Sequence, residues 1–126
     1  MKIAIGCDPN AQQAKEELMK FIETKGYGEL TDFGSEDPIY ANTAIKVAEA
    51  VAAGEYDRGI LICGTGIGVS IAANKVKGAY AALLSDVYSA QRARLSNDAN
   101  IACMGAFTSG SKERELMTEA FLTNEF

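Results

Sequence analysis

Cys63 closes an apolar run and opens a glycine-rich turn: Gly59-Ile60-Leu61-Ile62-Cys63-Gly64-Thr65-Gly66-Ile67-Gly68-Val69-Ser70. A deprotonated thiol is a base and a nucleophile. Glycines at 64, 66 and 68 let the backbone turn sharply and let a ligand approach its amides. A helix that starts near Gly66 to Gly68 aims its free N–H groups and the positive end of its dipole at the same spot. A base beside a cluster of oxyanion donors is what proton removal next to a carbonyl requires. Thr65 is either a solvated turn residue or a hydroxyl that relays a proton. The spacing is not that of a dinucleotide loop, because Val69 stands where the last glycine would be, and no Gly-Lys-Ser/Thr follows as in a phosphate-binding loop.

Other chemistries are excluded by what the chain lacks. It has no histidine, so no serine–histidine triad can be built. A zinc site would have to rest on cysteines and carboxylates alone, and no metal is expected. The 3 cysteines, Cys7, Cys63 and Cys103, are an odd number at wide spacings without C-x-x-C. That fits free thiols in a reducing cytoplasm. Cys7 and Cys103 have no glycine-rich neighbours and read as packing residues. The formal net charge of −5 and the absence of a basic stripe argue against a nucleic-acid partner. No window approaches the roughly 18 apolar residues of a membrane span, and the first residues read as a strand rather than a signal peptide.

The thiol and its turn need a scaffold. Strand-like and helix-like runs alternate along residues 1–126, which read as a single domain. Strands are expected at Lys2 to Cys7, Leu30 to Phe33, Gly59 to Cys63, Ala79 to Leu84 and Asn100 to Met104. Helices are expected at Ala11 to Lys25, with Asn10 as N-cap, then Tyr40 to Ala53, Gly66 to Lys75 and Asp86 to Leu95. A last helix runs from Ser111 onward, capped by Ser109 or Ser111. Ala14, Leu18, Phe21 and Ile22 form the buried stripe of the first helix. The pattern predicts an α/β fold, a three-layer Rossmann-like sandwich with a five-stranded parallel sheet. Ligands of such sheets bind beyond the carboxyl ends of the strands. Those ends carry Cys7-Asp8, Cys63-Gly64-Thr65, Ser85-Asp86 and Met104-Gly105. Three weaker candidates are expected to face the same end. Asp8 either caps the first helix or binds a ligand. Tyr40 is a core aromatic or a ligand contact. Ser96-Asn97-Asp98 is a helix stop or a ligand-binding loop.

Taken together these residues resemble a known family. Ile5-Gly6-Cys7-Asp8, Tyr40-Ala41, Cys63 through Lys75, Tyr88-Ser89-Ala90 and Asn97-Asp98-Ala99-Asn100 are similar to the ribose-5-phosphate isomerase B and galactose-6-phosphate isomerase family over nearly the whole chain. The resemblance implies a cofactor-free aldose–ketose isomerisation of a small sugar phosphate. It implies a homodimer or tetramer with active sites shared between subunits. Cys63 would be the base that moves a proton between C1 and C2, and Thr65 would assist proton movement on the oxygens. Amides from Gly64, Gly66 and Gly68 would hold the enediolate charge. Asp8, Tyr40, Ser96 and Asn97 would line the substrate.

The chain departs from that family at four places. Pro9 stands where a histidine commonly follows the first aspartate. Ser96 stands where a second histidine precedes the asparagine. Phe107 replaces an arginine after the fifth strand. The chain ends at Phe126, about where a basic phosphate-gripping stretch would begin, so that tail is expected to be absent or its task performed otherwise. Arg92 and Arg94 are substitutes for it, or exposed helix arginines. The missing histidine has a chemical reading. In the pentose enzymes of the family it serves to open the furanose ring, which closes through a free O4. A tetrose 4-phosphate has O4 blocked by phosphate, cannot form a furanose and needs no ring-opening acid. Tyr40-Ala41-Asn42 and Leu95-Ser96-Asn97 also resemble the erythrulose 4-phosphate isomerase branch. The expected reaction is therefore erythrulose 4-phosphate to erythrose 4-phosphate, with ribose 5-phosphate to ribulose 5-phosphate as the rival. A non-catalytic subunit of a paired isomerase and a small anion- or nucleotide-binding module remain open as other classes.

Overall fold

The computed structural model describes all of residues 1–126. Five strands form one parallel sheet: β1 (Lys2–Cys7), β2 (Glu29–Asp32), β3 (Arg58–Cys63), β4 (Ala81–Leu83) and β5 (Ile101–Gly105), in the order β2-β1-β3-β5-β4. Five helices connect and follow them: α1 (Gln12–Lys25), α2 (Tyr40–Ala52), α3 (Ile67–Ala73), α4 (Val87–Leu95) and α5 (Ser111–Thr123). This is the α/β three-layer arrangement that the alternation predicts. No helix is long and apolar enough to cross a membrane.

The central strands are apolar throughout because both sheet faces are covered. Ile3, Ile5, Cys7, Ile60, Ile62 and Met104 face a core built with Leu18 and Ile22 of α1, Ala90 and Ala93 of α4, and Met117 and Phe121 of α5. Ala4, Leu61, Cys63, Ile101 and Cys103 face the other core, with Val47 and Val51 of α2 and Val69 of α3. Strand alternation thus sends Cys7 and Cys63 to opposite faces. Each fully buried large apolar side chain contributes about 1.5–3 kcal/mol of transfer free energy. Phe21, expected within the buried stripe, is half-buried and meets Tyr27 edge-on at 6.0 Å.

Several local expectations are corrected. Asn10 caps nothing: it lies inside a 3-10 turn, Pro9–Ala11, and α1 starts after Ala11 without a side-chain cap. Pro9, its φ preset for a first helical position, starts the turn one residue earlier, so Asn10 lies within it and not ahead of it. The N-cap of α5 is Gly110, not Ser109 or Ser111, because the Ser109 hydroxyl is spent on the Gly105 carbonyl. β4 is shorter than expected because it is an edge strand. The Asn74 side chain pairs with both backbone groups of Ala81, at 2.8 and 2.9 Å, in place of a neighbouring strand. Arg94 is not an exposed arginine. It is 3% exposed, and its Nη1 donates to Asp98 Oδ1 and to the Ala99 carbonyl at 2.9 and 2.6 Å. Both acceptors lie past the end of α4, so Arg94 fastens the link into β5.

Candidate active site

The strand order reverses between β1 and β3, where the chain first winds outward to β2 and later outward the other way to β5 and β4. A crevice must open beyond the carboxyl ends of strands flanking such a point. Asp8 follows β1 and Cys63 ends β3, and the two strands are in register there, Cys7 opposite Ile62. The Asp8 amide donates to the Ile62 carbonyl at 3.3 Å. Asp8 remains extended, with φ −84° and ψ 170°. It therefore continues the alternation onto the sheet face of Ala4, which is the face of Cys63. Its side chain caps no helix, and its buried Oδ1 has no hydrogen-bond partner in the chain. A buried carboxylate oxygen without a donor is costly unless a ligand supplies one.

Cys63 is 6% exposed, and its sulfur accepts the Gly66 N–H at 3.1 Å. A hydrogen bond to sulfur is stronger for a thiolate than for a thiol. Gly66 makes this contact at φ +80°, a left-handed conformation that a side chain disfavours. A Cβ there would also meet the Met104 carbonyl carbon at 2.8 Å. Thr65 Oγ1 accepts the Ile67 N–H at 3.2 Å, which orients the hydroxyl and leaves its hydrogen to be given away. The Gly64 and Thr65 amides donate to no acceptor within the chain. The other two thiols are different. Burial pushes Cys7 up to about 12, and burial pushes Cys103 higher still, so both are protonated packing residues.

Tyr40 opens α2 and lays its ring against Gly68, where a Cβ would come within 2.7 Å of the ring. The first residue of α2 is thereby joined to the turn that follows β3. Tyr40 is 43% exposed, so it is not a core aromatic.

Ser96 and Asn97 are placed otherwise than the sequence suggested. They follow α4 and precede β5, which puts them at the amino ends of the strands. Cys63 lies opposite Gly105, the last residue of β5. Most of the length of β5, about 13 Å at the usual rise, separates that end from Ile101. Within one chain Ser96 and Asn97 therefore do not face the crevice. Both are exposed, and Arg92 Nε donates to Ser96 Oγ at 2.8 Å.

The structure adds residues that sequence reasoning passed over. The Ala106 and Phe107 amides donate to the Cys63 and Gly64 carbonyls at 2.8 and 2.9 Å. The turn after β5 is thus bound to the turn after β3. Gly105 permits this, since a Cβ there would meet the Thr65 backbone at 2.8 Å. Met104-Gly105 was legible as a strand end, but nothing in its spacing announced the docking. Lys15 carries no sequence signal of the part it plays. It is 3% exposed and bonds both oxygens of Asp32 at 2.8 Å, tying α1 to the end of β2. A cavity of about 250 Å³ beside the turn is lined by Thr65, Ile67, Leu83, Ser85, Thr108 and Ser109 among others.

Residues 3–126 match the family model described as Ribose/Galactose Isomerase. A ribose-5-P isomerase B from Listeria innocua is 48% identical over 129 residues, covering 100% of this chain and 86% of that protein. A D-erythrulose-4-phosphate isomerase from Pectobacterium atrosepticum is 42% identical over 130 residues, covering 100% and 85%. Among solved structures, a Clostridium thermocellum ribose-5-phosphate isomerase B superposes with a TM-score of 0.94 at 43% identity, covering 100% of this chain and 86% of that one.

Proposed function

The chain belongs to the ribose/galactose isomerase family and is a sugar-phosphate isomerase, and from that premise we propose that it interconverts erythrulose 4-phosphate and erythrose 4-phosphate. The observation that carries the choice of substrate is the complete absence of histidine; Pro9 and Ser96 stand at the two positions where the resemblance leads one to expect it. A pentose 5-phosphate must be released from its furanose before C1 and C2 can react. A tetrose 4-phosphate is already open or hydrated. A site without an imidazole to open a ring suits the second substrate.

The proposed chemistry needs only the groups described. The Cys63 thiolate takes a proton from C1 of the ketose, and the electron pair of the broken C–H bond forms the C1–C2 double bond of a cis-enediolate. The Gly64 and Thr65 amides, with the amides leading into α3, hold the negative oxygen. Thr65 passes a proton between O1 and O2. Cys63 then returns its proton to C2, giving the aldose and restoring the thiolate. Asp8 and Tyr40 hold hydroxyls of the open chain. The unpartnered Asp8 Oδ1 supports that role.

A second copy of the chain is part of this reading. Ser96 and Asn97 reach a crevice only if it belongs to a partner subunit. The edge beside β4 exposes Tyr80 at 62%, Leu83 at 43% and Tyr88 at 71%, apolar surface suited to self-association. The buried free thiols Cys7 and Cys103 fit a reducing cytoplasm.

The rival substrate, ribose 5-phosphate, is favoured by the 48% identity to the Listeria innocua protein and by the superposition on the Clostridium thermocellum structure. Steady-state rates on erythrulose 4-phosphate and ribose 5-phosphate, measured side by side, decide between them. Our reading expects the larger kcat/KM on the tetrulose phosphate. A larger value on ribose 5-phosphate assigns the chain to the pentose reaction.

A further inference from the structure

Arg114 is a buried cation that the chemistry above does not use. It is 7% exposed and makes no ion pair with any carboxylate. Its Nη1 donates to the Ser109 carbonyl, to Ser109 Oγ at 3.4 Å and to the Ala106 carbonyl at 3.4 Å. Glu17 and Glu115 line the same surface pocket as Arg114 without pairing with it, and its hydrogen bonds within the chain go to three acceptors of the turn after β5. Its positive field therefore acts on its surroundings.

Two chains of hydrogen bonds lead from that charge to the catalytic turn. In the first, Arg114 donates to Ser109 Oγ, which donates to the Gly105 carbonyl at 2.5 Å. The N–H of that same peptide belongs to Ala106 and donates to the Cys63 carbonyl at 2.8 Å. The N–H of the Cys63 peptide is the Gly64 amide. In the second, Arg114 donates to the Ala106 carbonyl. The N–H of that peptide belongs to Phe107 and donates to the Gly64 carbonyl at 2.9 Å. The N–H of the Gly64 peptide is the Thr65 amide. Each peptide that accepts on its oxygen becomes a better donor at its nitrogen. Both chains end on the amides that have no acceptor within the protein.

We propose that Arg114 is a positioning residue that orients and polarises the Gly64 and Thr65 amides through these two peptide relays, strengthening their hold on the negative oxygen of the enediolate. The proposal rests on the reading of those amides as the oxyanion cradle. It makes the turn after β5 part of the catalytic apparatus although no side chain of that relay touches substrate. It also separates Arg114 from a simple clamp of its turn, because a clamp would serve ground state and intermediate alike.

The test compares two inhibitors on the full-length chain. 3-Phosphoglycerohydroxamate is a planar, anionic mimic of the four-carbon enediolate, its N–O standing for C1–O1 and its carbonyl for C2–O2. Erythritol 4-phosphate has the same phosphoryl end without the developing charge. In Arg114→Met, kcat falls about tenfold, less than the loss of a direct oxyanion donor because the effect is transmitted through peptides. KM stays within about twofold. The hydroxamate weakens by a factor similar to that for kcat, and erythritol 4-phosphate binding is unchanged. Arg114→Lys, which keeps a charge, recovers part of the loss. Ser109→Ala cuts only the relay to Gly64 and gives a smaller loss of about threefold with the same selectivity for the hydroxamate. Equal weakening of both inhibitors, or of neither, overturns the proposal. If Arg114→Met does not fold, Ser109→Ala decides alone, and unchanged kcat and hydroxamate affinity in that variant refute the relay. Wild-type protein that binds the hydroxamate no tighter than erythritol 4-phosphate defeats the cradle reading itself, before any variant is made, and the proposal with it.

Discussion

The ring of Tyr40 occupies the space that a side chain on Gly68 would need. A Cβ at 68 would come within 2.7 and 2.8 Å of two ring carbons and 3.1 Å of the hydroxyl oxygen. Gly68 is thus a surface for that ring as well as a residue of the helix that follows the proposed catalytic turn. The start of α2 and the start of α3 meet at this one contact. The position of Tyr40 consequently depends on the absence of a methyl group two elements away in sequence.

Gly68→Ala is expected to displace Tyr40 outward without unfolding the chain, because the ring is the end of a movable side chain at an exposed edge. We expect KM to rise several-fold with a smaller change in kcat, since a residue proposed to hold substrate moves while Cys63 and Thr65 stay. Steady-state kinetics of the variant check this. Gly66→Ala should be far worse. Its φ is +80° and its Cβ would press on the Met104 carbonyl, which is main chain and cannot step aside. A stability loss of about 2 kcal/mol or more is expected in denaturant melts.

Asp86 caps α4 by accepting the Ser89 N–H at 2.7 Å, while the Ser89 hydroxyl completes the reciprocal box. The backbone hydrogen bond from Ser89 holds the Asp86 carboxyl below its ordinary value. A carboxyl depressed in the folded state stabilises it above the unfolded value near 4 and loses that contribution as pH falls through the folded value. Asp86→Asn should lower stability at pH 7 and flatten its decline on acidification. Thermal melts from pH 7 to pH 3 measure both. A variant with the same acid profile as wild type would contradict the cap's titration.

Cys7 behaves in the opposite sense at alkaline pH. Burial holds its proton up to about 12 in the folded chain, whereas an exposed thiol loses it near 8.5. Between those values the unfolded state has fewer protons bound, so stability falls as pH rises. Cys7→Ala should recover part of the stability lost between pH 8.5 and pH 11, relative to its own value at pH 7. With Cys7 and Cys103 held protonated by burial, Cys63 is expected to be the first thiol alkylated by iodoacetamide in the folded protein at pH 8. Peptide mass spectrometry that finds Cys7 or Cys103 modified as fast would contradict the assignment.

The sequence made the sheet legible because periodicity is local. The continuous run Ile60-Leu61-Ile62 needs no partner to be read as a doubly covered strand, and the glycines after Cys63 mark the turn by their own backbone freedom. Element ends were less legible where a distant group decides them. The β4 strand is trimmed and held by the Asn74 side chain, and Ser109 is diverted from capping by the Gly105 carbonyl. The proposed catalytic turn was read from Cys63 and its neighbours. Its support was not, because the contacts of Ala106 and Phe107 are main-chain bonds across 43 residues of sequence that carry no side-chain signature. The end of the sheet that Ser96 and Asn97 occupy was illegible for a related reason. A loop after a helix looks the same from sequence at either end of a sheet, and only the direction of α4 fixes which end it reaches.

The central claim is that the Cys63 sulfur carries hydrogen between adjacent carbons. The most direct measurement is isomerisation of erythrulose 4-phosphate in deuterium oxide, followed by NMR, for wild type and Cys63→Ala. The account predicts that wild type exchanges the transferred hydrogen with solvent while it turns over. It predicts that Cys63→Ala folds normally and loses both isomerisation and deuterium incorporation by at least about 100-fold, the usual contribution of a positioned general base. Near-normal turnover and exchange in that variant would remove the sulfur from the mechanism.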